Sequence, residues 1–214
     1  MKYTGWHLLP NCVIMRSTPA EAILSKRNGN KTKIYVFNMS DSLFYTIFDT
    51  SAGWTGILGS KHGLRRITLP QTSEQRVRQL MGDAIDEAIW SPPFFQDLME
   101  RLKAYFSGHE VAFSDKLDLS EATSFQREVW EATRLIPHGE TRSYAWVAGQ
   151  MGRPEAVRAV GQALTRNPLP VIVPCHRVVG RDGRLGGYRG GIELKRRLLQ
   201  LEDLGSNDKS NTVK

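Results

Sequence analysis

The chain has 214 residues, 40% hydrophobic and 24% charged, with 29 Lys+Arg against 22 Asp+Glu and a formal net charge of +7. That is enough chain to bury a real core, and the composition excludes a disordered protein; with no apolar run of 18 residues, a membrane span is excluded too. Two cysteines, Cys12 and Cys175, are too few for a disulfide framework or a cysteine-held zinc or iron–sulfur centre, and suit a reducing cytoplasm.

The first ten residues show no charged region followed by a sustained apolar stretch, so no secretory leader is expected. Charge is uneven along the chain. Residues 1–121 carry 14 basic and 13 acidic groups, whereas residues 122–204 carry 13 basic and 8 acidic, and 12 of those 13 are arginine. Arginine's planar fork favours phosphate, so this half is a candidate for nucleic-acid contact, with a solvated surface as the alternative.

Residues 1–42 form a segment of unclear structure, in which Ser25–Lys33 is polar, basic and read as a loop or arm. Short apolar runs from Phe44, Trp54 and Leu64, separated by glycine turns, predict a β-meander. Val77, Leu80, Met81, Ala84, Ile85, Ala88 and Ile89 repeat at three and four, predicting one helix. A second helix follows Pro92-Pro93, carries Phe94, Phe95, Leu98, Leu102 and Tyr105 as core, and stops at Gly108. A first domain over residues 43–119 follows.

A second domain over residues 120–204 reads as mostly helical. Thr123 and Gln126 form a capping box that opens a helix. Ser143 caps a short helix over Tyr144–Met151, and Pro154 at a first helical position opens another through Val157, Val160 and Leu164. Two short helices across a glycine turn are a helix-turn-helix pattern, weak on its own. Leu169–Pro174 is apolar with prolines at both ends, hence buried and irregular or at a sheet edge. Asp182-Gly183 signals a hairpin turn. The last helix runs from Ile192 to about Leu204 with Leu194, Leu198 and Leu201 inward, before a polar tail over residues 205–214.

Pro174-Cys175-His176-Arg177 carries the chemistry. A cysteine at the end of an apolar strand is ordinarily an inert small hydrophobe. Cationic and imidazole neighbours are expected to lower the thiol pKa, and a histidine can take the thiol proton. That base needs an orienting acceptor, for which Glu202 is the best candidate.

Ile172–Val178 resembles the active-site motif of the O6-alkylguanine-DNA alkyltransferases (methylated-DNA–protein-cysteine methyltransferases). Phe125–Trp130, Ile136–Thr141, Arg158–Gly161, Asn167-Pro168 and Gly187–Gly191 stand where that family has them, covering about residues 119–204. A fainter likeness runs from Phe48-Asp49-Thr50 to Gly63-Leu64-Arg65. The resemblance implies an α+β protein: an N-terminal α/β domain with a small antiparallel, ribonuclease-H-like sheet, and a C-terminal helical, winged helix-turn-helix-like domain. It implies irreversible, stoichiometric transfer of the alkyl group from O6-alkylguanine in DNA to Cys175, a single-turnover repair with no cofactor.

By the same resemblance His176 is the base, acting through a bridging water, Glu202 orients it, and Asn167 ties the helix-turn-helix to the active-site turn. Tyr144 turns the target phosphate and protonates the leaving purine. Arg158 is the finger that fills the duplex when the base is extruded; a surface ion pair with Glu155 is its alternative. Ala159 and Gly161 let the recognition helix approach a groove, with Arg166 beside them. Leu164, Tyr188 and backbone groups at Val178 and Arg189 would line the base pocket. Arg189 departs from the small residue many relatives have there.

The expected partner is double-stranded DNA containing O6-alkylguanine, with no membrane, no metal (Cys12, His7, His62 and His109 lack ligand spacing) and a monomeric chain. Two other functions fit parts of the pattern. A helix-turn-helix regulator would not need Pro-Cys-His-Arg, and a non-catalytic binder of alkylated guanine would lack the cysteine. A cysteine hydrolase would need an oxyanion hole that the sequence does not offer.

Overall fold

The computed structural model describes the backbone of residues 12–18, 21–28, 31–38 and 42–207, and side chains over 42–203. The chain divides into two compact bodies, Met1–Leu43 and Phe44–Lys214. In the first, β1 (Cys12–Thr18), β2 (Glu21–Asn28) and β3 (Lys31–Asn38) form an antiparallel meander. Backbone pairing runs through Lys26↔Lys33, Arg27↔Thr32 and Asn28↔Lys31. The loop expected over Ser25–Lys33 is therefore strand on both sides of residues 29 and 30, which lie outside the described residues. Local polarity does not decide strand formation here: the backbone register runs unbroken from Glu21↔Asn38 to Asn28↔Lys31, so polar residues continue the ladder. His7 and the first ten residues also lie outside the described residues.

The second body begins with β4 (Phe44–Thr50), β5 (Gly53–Ser60) and β6 (Gly63–Ile67), the predicted meander. A short β7 (Ile89–Trp90) adds in parallel to β4, giving the order β6-β5-β4-β7. The single helix predicted through Ile89 is instead α1 (Glu74–Met81), a 3-10 turn over Gly82–Ile85, and β7. Gly82 takes φ 64, ψ −158 at the end of α1, a positive-φ conformation that glycine adopts without a Cβ clash, and the helix stops there. The apolar spacing persists beyond it because the chain keeps hugging one core. Val77 and Met81 of α1 press on the sheet at Gly56, where a Cβ would meet both at 2.6 Å.

A 3-10 turn over Pro92–Phe95 leads into α2 (Gln96–Phe106), whose Leu98, Leu102, Tyr105 and Phe106 are buried. Phe94, expected in the core, is half exposed and stacks on Phe44 at 4.4 Å. The linker then lies along β6: the Leu64 N–H donates to Lys116 O and the Asp118 N–H to Leu64 O, both at 2.8 Å. Arg65 pairs with Asp118 at 2.7 Å.

The remainder is helical, as expected. The Thr123/Gln126 capping box is formed and starts α3 (Ser124–Arg134). After β8 (Arg142–Ser143), the Ser143 hydroxyl accepts from Trp146 N–H to cap α4 (Tyr144–Gln150). Helix α5 is Val157–Thr165. It begins three residues after Pro154, which sits in the preceding turn; Ala156 at φ −79, ψ 15 is the cap. The Trp130 indole N–H donates to Ala163 O at 3.1 Å and fixes α3 on α5. Gly183 makes the expected turn at φ 77, but no hairpin ladder follows: β9 (Val178–Val179) pairs in parallel with β8. Helix α6 (Ile192–Asn207) closes the body; residues 208–214 of the expected tail lie outside the described residues. Among those described, no helix is long and apolar enough to cross a membrane.

Candidate active site

Asn167 follows α5 and fastens the irregular segment that comes after it. Its amide donates to Val173 O at 2.9 Å and to Cys175 Sγ at 3.1 Å, while its Oδ1 accepts the Leu169 N–H at 2.9 Å. The Val173 N–H returns to Leu169 O at 2.8 Å, and the Ile67 N–H reaches Pro168 O at 2.9 Å, coupling β6 to this turn. Leu169, Val171, Ile172 and Val173 are all buried, which explains an apolar run that is not a strand. Val171 holds φ 75, a conformation that costs a β-branched residue about 1–3 kcal/mol and persists only where the surroundings impose it.

The 3-10 turn over Cys175–Arg177 then sends successive side chains in different directions. Cys175 faces a cavity of about 270 Å³, shared with Tyr144, Leu164, Asn167, Tyr188 and Arg189. His176 and Arg177 point away from it, into the packing between α2 and α6. Glu202 is 1% exposed and accepts from His176 Nε2 at 2.8 Å, Arg177 Nε at 2.9 Å, Arg177 Nη2 at 2.9 Å and Tyr105 Oη at 2.8 Å. The Gly139 N–H approaches Oε2, the oxygen that also accepts from Arg177 Nε, at 3.3 Å, and Arg177 also donates to Ile136 O at 2.7 Å. Burial alone would raise the Glu202 pKa, but the hydrogen bond from His176 and the hydrogen bonds and charge of Arg177 outweigh it and hold the carboxyl far below the usual range.

With Glu202 ionised and able only to accept, His176 carries its proton on Nε2, an assignment made from the network. The Nδ1 lone pair is buried and has no hydrogen-bond partner among the described residues. Burial lowers the His176 pKa from its ordinary 6.5 despite Glu202, so the imidazole is neutral at pH 7 and free to take a proton.

The thiol reverses one expectation. Burial pushes the Cys175 pKa up, and the Asn167 amide, the Lys195 charge and the Tyr188 hydroxyl offset that only in part. The resting group is the thiol, and cationic neighbours do not by themselves make a thiolate; a base is required. The Tyr188 hydroxyl, buried near the sulfur, makes no hydrogen bond of good geometry, yet it is close enough to influence the thiol.

Tyr144, the first residue of α4, stands at the cavity with its pKa raised by burial. A Cβ on Gly186 would collide with its hydroxyl, so the glycine-rich loop lets the phenol approach the backbone. Val178 does not line the cavity: it is fully buried, and its carbonyl accepts from Lys195 Nζ at 2.6 Å. Arg158, Ala159 and Arg166 are exposed along α5 and at its end, outside the cavity. Arg158 makes no ion pair with Glu155, the partner its i,i+3 spacing offers. Gly161 backs onto the Tyr144 ring.

Two residues of the site are not legible as such in the sequence. Tyr105 reads there as core alone. Lys195 is 1% exposed on the inward face of α6 with Leu198 and Glu202, where Leu194 and Leu201 were expected and are only half-buried. A lysine three residues before a buried leucine, on the helix face that carries Glu202, was the available signal.

The sequence of the second body matches two family models in succession. Residues 43–119 match the ribonuclease-like domain of 6-O-methylguanine DNA methyltransferase, and residues 124–204 match its DNA binding domain. A methylated-DNA–protein-cysteine methyltransferase of Methanosarcina acetivorans is 39% identical over 160 residues, 75% of this chain and 98% of that one. The chain belongs to the methylated-DNA–protein-cysteine methyltransferase family. A Mycobacterium tuberculosis member is 51% identical over 115 residues, 53% of this chain and 69% of that one. The crystal structure of M. tuberculosis OGT in complex with DNA superimposes with a TM-score of 0.63 at 42% identity, covering 75% of this chain and 92% of that one. The methyltransferase family thus accounts for the second body; residues 1–42 match neither family model.

Proposed function

We propose that this protein repairs O6-alkylguanine in duplex DNA by moving the alkyl group onto Cys175 Sγ. The observation that carries the reading is the junction at the 3-10 turn: one thiol facing a cavity in front, and a neutral His176 held by ionised Glu202 behind. The thiol proton passes to His176 Nδ1 through a bridging water, and the thiolate attacks the alkyl carbon. An S–C bond forms as the C–O6 bond breaks, and the purine leaves with a proton supplied by the Tyr144 phenol, which regains one from water as the His176 imidazolium releases its own. The thioether is stable in water, so each molecule acts once, without a cofactor.

Leu164, Tyr188 and Arg189 with its backbone line the cavity that would take the extruded base; Val178, buried outside it with its carbonyl held by Lys195, takes no part. Extrusion costs on the order of a few kcal/mol, and Arg158, exposed near the start of α5, would occupy the vacated stack. Ala159 and Gly161 keep that helix slim against the groove, and Arg166 meets phosphate. A chain that works through a free thiol suits the reducing cytoplasm, and a monomer suffices because the second body supplies every group named.

A duplex with one labelled O6-methylguanine tests the reading. Label should reach the protein at no more than one equivalent, and Cys175→Ala should abolish transfer while retaining DNA binding; repeated turnover, or transfer by the alanine variant, contradicts it. Arg158→Ala should slow repair of duplex DNA about 10–100-fold, the equivalent of a few kcal/mol of lost extrusion. Its effect on free O6-methylguanine nucleoside, which needs no extrusion, should be far smaller, and equal losses on both substrates would refute the finger role.

A further inference from the structure

We infer that Tyr105, on the ribonuclease-like half of the fold, is a positioning residue for alkyl transfer: its hydroxyl holds the His176–Glu202 pair in the tautomer that leaves Nδ1 as the base. The inference rests on the reading just given.

Tyr105 is 1% exposed and lies on α2, far in sequence from the residues it meets. Its hydroxyl has one proton, and that proton goes to Glu202 Oε1 at 2.8 Å. The lone pairs of the same oxygen face His176 Nε2 at 3.2 Å. Nε2 therefore looks at two oxygens, Glu202 Oε1 at 2.8 Å and Tyr105 Oη, both acting as acceptors. Only a protonated Nε2 satisfies them; the other tautomer would set its lone pair against both. Burial and the adjacent Glu202 raise the Tyr105 pKa well above 10, so the phenol keeps its proton across the working range.

The aromatic ring has separate duties. It packs edge-on against Phe106 and Phe113 at 5.3 and 5.9 Å, contacts that phenylalanine would retain. Tyr105→Phe accordingly removes the hydroxyl and little else. The charged and titratable groups around the pair are Arg177 beside it, Lys195 on α6, Cys175 on the same turn, Tyr188 from the glycine loop and His138, whose ring lies 6.4 Å from that of Tyr105. None of these changes in the variant. Withdrawing one donor from Glu202 leaves its charge more available to the imidazolium, so the His176 pKa should rise.

The test is single-turnover transfer from a duplex carrying O6-methylguanine, measured with the full chain across pH. Tyr105→Phe should bind that duplex as wild type does but transfer about ten-fold more slowly, the loss expected for one hydrogen bond to a charged group. The acid limb of its pH profile should move up by about half a unit. A lower melting temperature with unchanged rate and unchanged limb would show a purely structural tyrosine and overturn the inference. Should the variant fail to fold, ¹⁵N spectra of wild-type His176 decide: a proton on Nε2 supports the assignment and a proton on Nδ1 refutes it. No transfer by the wild type would sink the repair reading itself; wild-type transfer equalled by Tyr105→Phe sinks only this inference.

Discussion

Glu202→Gln should both destabilise the fold and slow transfer, with the two losses separable. Tyr105, His176, Arg177 and the Gly139 backbone all donate to this one carboxylate. An amide group in place of either oxygen would present N–H to donors and leave the Arg177 guanidinium, 8% exposed, without its counter-charge. Breaking a buried pair in this way costs about 3–5 kcal/mol, which for a chain of this size lowers the melting temperature by about 10 °C. His176 would also lose the group that fixes its proton on Nε2, and base catalysis is worth about 100-fold or more. The check is transfer rate on duplex substrate at a temperature where circular dichroism shows the variant folded. A folded variant with wild-type rate would remove Glu202 from the mechanism.

The pH dependence follows from the same group. The folded-state carboxyl is held below its unfolded value, so its contribution to stability is present above the ordinary carboxylate range and lost only as pH falls through the depressed folded value. His176 is likewise depressed below 6.5 by burial, so the neutral base survives, and the transfer rate stays level, as pH falls through 6.5; the loss begins lower.

Asn167→Ala should be the second large effect. The Leu169 N–H loses the acceptor that holds it at 2.9 Å, in a buried turn where an unmet backbone group costs about 1–3 kcal/mol. The strained Val171 conformation loses part of what imposes it, and together these put the destabilisation at about 2–4 kcal/mol. The thiol loses the amide that opposes the effect of burial, so its pKa should climb further and the alkaline rise of the transfer rate should move to higher pH. Denaturant unfolding measures the first effect and the pH profile of transfer the second. If the profile stays put while stability drops, Asn167 holds the turn without tuning the sulfur.

What the sequence conveyed depended on how local the cause was. The Thr123/Gln126 box and the Ser143 cap are short-range chemistry and formed as read. Helix limits near glycine and proline were less legible: Gly82 stopped α1 while apolar spacing ran on, and Pro154 proved to precede α5 rather than open it. Cys175, His176 and Glu202 could be nominated because one motif holds two of them and the last helix holds the third. Tyr105 could not, because its role exists only where α2 meets α6, some 97 residues apart. The thiol's raised pKa was equally hidden, since charge neighbours are visible in a sequence and burial is not.

Mass spectrometry of the protein after exposure to a duplex holding O6-methylguanine tests the central claim most directly. The account predicts one added methyl group on the peptide containing Cys175, none on the peptide containing Cys12, and unmodified guanine in the DNA. Repaired DNA with the Cys175 peptide unchanged, or the methyl group on any other residue, would contradict it.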